Sequence, residues 1–126
     1  MKKIIIETIS HKDQRYDTCG DWQFDTEGNL KISISDVGNW KHEFLVAFHE
    51  LAEVMLCKDR GISQESVDAF DTEFEKNRKE GNTDEPGNDS AAPYRKEHFF
   101  ATNVERLMAE QLGVDWDEYD KSINSL

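Results

Sequence analysis

Basic residues are scarce relative to acidic ones: Lys and Arg number 15 against 27 Asp and Glu, a net charge of −12. A surface of that sign repels a phosphate backbone or an anionic bilayer, so neither nucleic acid nor membrane is an expected partner. Long apolar runs are absent too. After Met1, Lys2 and Lys3 the run Ile4-Ile5-Ile6 stops at Glu7, too short for the apolar part of a secretory signal. No other stretch approaches the roughly 20 residues of a membrane span. Cysteine is limited to Cys19, in a glycine-containing loop, and Cys57, in an apolar segment, which argues against a disulfide framework and for a reducing compartment. A cytoplasmic protein is expected. No segment repeats, and 126 residues suit a single domain spanning 1–126.

What is present centres on the longest apolar segment, Phe44 to Cys57, which carries His49, Glu50 and Glu53 within five consecutive positions. At helical spacing its apolar residues Phe44, Leu45, Ala47, Phe48, Leu51, Ala52, Val54, Met55 and Leu56 cover roughly 200°. That arc marks a core helix. His49, Glu50 and Glu53 occupy the remaining arc, bracketed by Val46 one turn before and Cys57 one turn after, so something is expected to cover that side as well. His49 and Glu53, four apart, stack on one face and can reach one ion; Glu50 projects about 100° round.

The other elements follow from period and punctuation. Isoleucine-rich Lys3 to Ile9 reads as a strand. Trp22 and Phe24, then Leu30, Ile32 and Ile34, alternate with polar residues about the turn Asp25 to Asn29, a β-hairpin that completes a small antiparallel or mixed sheet. The central helix enters through Ser35 or Asp36 near Gly38-Asn39 and ends at Gly61. Ser63 caps a second helix with the stripe Val67, Phe70 and Phe74, on which Asp71 is better aimed inward than Asp68. Residues 77–93 hold turn formers without periodicity and are either functional or disordered. Tyr94 to Leu112 reads as a third helix with Phe100, Ala101, Val104, Leu107, Met108 and Leu112 buried and His98 and Glu105 at the edge. Asp115 caps a short terminal helix docking through Trp116, Tyr119 and Ile123. The fold class is α+β, a small N-terminal sheet packed on a central helix with two further helices and a short last one.

A His and a carboxylate at i and i+4 supply two metal ligands from one turn, and a carboxylate directly after the His can take a proton from a water activated by the ion. His49-Glu50-Leu51-Ala52-Glu53 resembles the H-E-x-x-H motif of the zincin metallopeptidases, whose motif helix also follows a small sheet with an edge strand able to bind an extended peptide. The likeness covers about residues 20 to 60. It implies a metal-dependent hydrolase resembling a minimal peptidase, with Glu50 as general base and a peptide or protein as substrate.

Glu53 stands where the family has its second histidine. This hardens the ligand set, so zinc has manganese, iron and magnesium as competitors for the divalent site. Two residues can complete it. Asp71 follows Glu53 after 17 intervening residues, similar to the downstream acidic ligand of gluzincins, and His98 is the better zinc ligand if the third helix crosses over. The expected site is therefore His49, Glu53 and one or both of Asp71 and His98. Glu105, one turn pair from His98, is expected to orient that residue or to pair with Arg106 or Lys96 outside the site.

Two other readings use the same residues. The pair Glu50/Glu53 with Asp68/Asp71 is similar to the magnesium-binding acids of all-α NTP pyrophosphatases, although the hairpin is foreign to that fold. A non-enzymatic acidic interaction module with a degenerate metal site is the third. Trp22, Trp40 and Trp116 are read as packing residues.

Overall fold

Strand β1 (Ile4–Ile9) pairs in parallel with β3 (Leu30–Ser35), and β2 (Gly20–Phe24) pairs antiparallel with β3 from the other side, giving the order β1-β3-β2. The computed structural model describes residues 1–126, an α+β chain with this three-stranded sheet at its N-terminal end and four helices after it. The last strand is thus the central one, and the segment joining β1 to β2 has to cross β3. His11 Nδ1 and Gln14 Nε2 pin that crossing at 2.9 and 3.1 Å from Ser35 Oγ. These bonds allow a polar Ser35 to be fully buried. The hairpin turn is held by Asp25 Oδ1, which accepts from the backbone N–H groups of Glu27 and Asn29 at 2.8 and 2.9 Å. Gly28 supplies the left-handed turn residue at φ 80°.

Helix α1 (Trp40–Asp59) begins where Asn39 accepts from the N–H groups of Lys41 and His42, within the expected entry, and ends at Gly61, φ 69°. Of the expected apolar arc, Leu45, Ala47 and Val54 are buried, but Phe44 is exposed and Phe48 and Leu51 only half-buried; on the opposite side Val46, His49, Glu53 and Cys57 are buried as well. The bracket formed by Val46 and Cys57 is therefore the reliable part of the pattern: that side is covered.

Helix α2 (Gln64–Lys76) is capped by Ser63 and buries Val67 and Asp71. Helix α3 (Arg95–Gln111) packs along α1, the most extensive contact between any two elements. Its orientation corrects the expected buried arc. Phe100 and Leu107 are 53% and 64% exposed, and the inward side carries Glu97, His98, Ala101, Glu105 and Ala109. Ala101 and Ala109 let the two helix backbones approach, leaving the polar side chains between them to meet one another. Helix α4 (Trp116–Asn124), capped by Asp115, docks Tyr119 into the core. Within residues 77–93, a 3-10 turn at Pro86–Asn88 packs against α3 and α2 with Gly87 buried, while residues 79–85 are exposed. No helix is long and apolar enough to cross a membrane.

Candidate metal centre

Two helices built from distant parts of the chain bring their ionisable residues to one point. From α1, His49 Nε2 lies 3.1 Å from Glu53 Oε2; from α3, His98 Nδ1 lies 3.0 Å from the same oxygen and 3.2 Å from His49 Nε2. The three atoms form a nearly equilateral triangle, and all three residues are buried. Ligands about 2.0–2.2 Å from a tetrahedral zinc ion stand roughly 3.3 Å from one another. The observed spacing is that of a ligand face contracted by a few tenths of an ångström.

The far side of each ring fixes its proton. His49 Nδ1 is 2.7 Å from Glu105 Oε1, and His98 Nε2 is 2.7 Å from Glu85 Oε2. Carboxylates only accept, so each of these outer nitrogens carries the N–H. The inner nitrogens of the neutral rings are then lone pairs, aimed at each other and at a carboxylate oxygen. Three acceptors within about 3 Å need positive charge between them, either a metal ion or a second proton on the rings. Glu53 is fixed in turn by Trp22, whose indole Nε1 donates to Oε1 at 3.1 Å and leaves Oε2 for the triangle. This is the imidazole–carboxylate arrangement that orients histidine ligands and raises their basicity.

Without an ion, the second proton on the rings supplies that positive charge. Burial disfavours the Glu53 carboxylate, but the imidazoles of His49 and His98 outweigh it and hold its pKa at about 2. Burial likewise opposes charge on both histidines; Glu105 and Glu53 nevertheless raise His49 well above its ordinary range, and Glu53 and Glu85 lift His98 to about 9.

The triangle opens on a cavity of about 260 Å³ that Glu50, Asp71, Tyr94 and Tyr16 also line. Glu50, raised well above the usual carboxylate range by burial and then by the charge of Glu53, faces β2 at Gly20. A Cβ at Gly20 would come within 2.8 Å of Glu50 Oε1 and 2.7 Å of Val46 Cγ1, so only glycine lets the strand pass this close to the helix. Asp71 points into the cavity as expected, yet its two oxygens accept from Tyr94 Oη at 2.6 Å and Tyr16 Oη at 3.1 Å. It is not one of the converging groups. Asp68 also lines the cavity but is engaged by a paired contact with Arg15, which grips Asp21 through two nitrogens as well. The acids Glu50, Glu53, Asp68 and Asp71 thus do not gather as a set; His49, Glu53 and His98 are the one group of three that does.

No known family, curated protein or solved structure matches this chain.

Glu105 is expected from the sequence to lie outside the site, orienting His98 or pairing with a base. It instead holds His49, and Glu85, in a segment without periodicity, holds His98. The signal for Glu105 is in α3 itself: His98, Ala101, Glu105 and Ala109 fall at i, i+3, i+7 and i+11, a stripe of small and ionisable residues more consistent than the competing Phe100 and Leu107. Glu85 has no comparable local signal, because only the fold of the 3-10 turn brings it over the imidazole.

Proposed function

We propose that the protein binds one divalent cation through His49, Glu53 and His98 and uses it for hydrolysis, with Glu50 as the general base. The observation that carries this reading is the pair of outer carboxylates, Glu105 and Glu85, which turn the remaining lone pairs of both rings onto Glu53. A cation entering there would displace the second ring protons and meet three ligand atoms already converged at one point. Two nitrogens and one oxygen suit zinc first, with manganese or iron as the nearest competitors.

A bound ion would act there as a Lewis acid that makes a water acidic enough to attack at neutral pH. Glu50 supports the base assignment. It immediately follows a ligand, lines the same cavity and has a pKa raised by burial, which makes its carboxylate a stronger proton acceptor than one in water. Tyr94 and Tyr16, whose hydroxyls donate to Asp71, line the same cavity. Strand β2 borders the cavity through Gly20, Asp21 and Trp22. On its outer edge the Gly20 carbonyl accepts from Thr18 Oγ1 and Phe24 N–H donates to Gln64 Oε1, so a peptide substrate would reach the ion through the cavity and not by extending the sheet.

The deciding experiment is elemental analysis of purified protein with titration calorimetry for zinc, manganese and magnesium. One equivalent bound by the native chain and none by His49→Ala is the expected result. Absence of binding for every ion would remove the reading, and binding without chelator-sensitive cleavage of an unfolded protein would reduce it to a metal site without peptidase chemistry.

A further inference from the structure

A run of exposed apolar side chains lies along β1, at the opposite edge of the sheet from the cavity-lining β2. Ile4, Ile5 and Ile6 stand at the free edge of the sheet and are each 40% exposed or more; beside them Trp40 is 66% exposed and Phe44 is exposed on α1. Ile6, Thr8, Phe44, Phe48 and Leu51 form a groove between that edge and the helix. Edge strands in natural proteins are blunted by charge, proline or a bulge. Between Lys3 and Glu7 this edge has none.

Which backbone groups are free follows from the pairing with β3. Leu30 N–H donates to the Lys3 carbonyl and Asp36 N–H to the Ile9 carbonyl, so the odd-numbered residues of β1 turn their backbone groups toward β3. Those of Ile4, Ile6 and Thr8 point outward.

We propose that a second copy of this chain docks here, β1 against β1, antiparallel about a twofold axis perpendicular to the sheet. Side chains opposite each other across such an axis lie on the same face, so only residues of equal parity can pair. That leaves few registers. One centred on Glu7 sets like charges opposite each other, and one centred on Ile6 sets Ile5 against Glu7. The register centred on Ile5 puts Ile5 opposite its own copy, Ile4 opposite Ile6, and Lys3 opposite Glu7 twice. Ile4 and Ile6 then exchange backbone hydrogen bonds, while Ile5, Lys3 and Glu7 fall at the closer, non-hydrogen-bonded positions, where cross-strand pairs interact most. The perpendicular axis keeps both α1 helices on one side of the continuous six-stranded sheet. The two grooves therefore face each other, and Phe44, Phe48 and Trp40 from both copies cover the junction.

Charge reversal tests the register. Sedimentation equilibrium over a concentration series is expected to give a dimer for the native 14.6 kDa chain. Lys3→Glu and Glu7→Lys should each weaken dimerisation by about tenfold or more, and the double exchange Lys3→Glu/Glu7→Lys should restore it. Glu7 also pairs with Lys31 at 2.9 Å within one chain, so Lys3→Glu, which leaves that pair intact, is the cleaner single variant, and thermal melts confirm folding. A native chain that stays monomeric throughout, as it would if the edge served a different protein, overturns the proposal. So do single reversals that leave the dimer intact, or a double exchange that fails to rescue it.

Discussion

Glu105 Oε1 lies 2.7 Å from His49 Nδ1 although 56 residues separate them in the chain. The bond ties α3 to α1 at the point where both are buried, and it decides which nitrogen of His49 is left for an ion. Glu105→Gln preserves the shape but removes the negative charge that strengthens the imidazole as a donor to metal. Zinc affinity is expected to fall about 10- to 100-fold, with the fold intact by circular dichroism. An unchanged affinity would mean that the carboxylate has no part in preparing the ligand.

The choice between the two residues that could complete the site is decided by a pair of substitutions. His98→Ala takes a corner from the triangle and should abolish stoichiometric binding. Asp71→Asn leaves the triangle untouched and should bind one equivalent with affinity within a few-fold of native. Calorimetry on both variants reads the answer, and the opposite pattern would put Asp71 in the coordination sphere.

Much of the fold was legible because its signals are local. Alternation marked β2 and β3, Asn39 and Ser63 carry the side-chain oxygens that cap helices, and Gly61 takes the left-handed conformation that only glycine adopts readily. The face of α3 was not legible from hydrophobicity. Phe100 and Leu107 are the larger apolar residues, yet the helix turns Glu97, His98 and Glu105 inward, because each has a partner across the interface: Arg60, Glu53 and His49 respectively. Paired charges remove the usual penalty for burying them, and the apolar pattern loses its authority. In α1 the hydrophobic stripe held at Leu45, Ala47 and Val54 and failed at Phe44 for the same reason. The partner that covers His49 and Glu53 is itself polar, and Phe44 is left facing out beside β1.

Gly87 permits the 3-10 turn to sit directly on the His98 ring: a Cβ there would be 2.3 Å from His98 Cγ and 2.6 Å from Nδ1. Gly87→Ala must push away either the turn, with Glu85, or the ring itself. Stability is expected to drop by about 1–3 kcal/mol, as for other overpacked sites. Metal affinity should fall with it, since either displacement breaks the Glu85–His98 bond. A variant with unaltered denaturant midpoint and unaltered binding would show that the turn does not position the imidazole.

Asp71 makes stability depend on pH in a direction opposite to most carboxylates. Burial raises its pKa from 3.8 to about 7, even though the Tyr94 and Tyr16 hydroxyls favour the charged form. The folded chain therefore holds a proton that the unfolded chain has already released. Its contribution to stability is complete below about pH 4 and is lost as pH rises through about 7, a change of at most roughly 4 kcal/mol at ~1.4 kcal/mol per pK unit. In chelator-treated protein, Asp71→Asn removes this titration, so the variant should gain stability relative to the native chain between pH 4 and 8, as urea unfolding at a series of pH values would reveal. The charge of Glu53 contributes to the raised pKa, and a cation at the triangle would offset it; added zinc should shrink the difference between the two proteins near pH 7. A difference that stays flat with pH would mean that Asp71 is ionised in the folded chain throughout, and its tyrosine contacts would then outweigh burial.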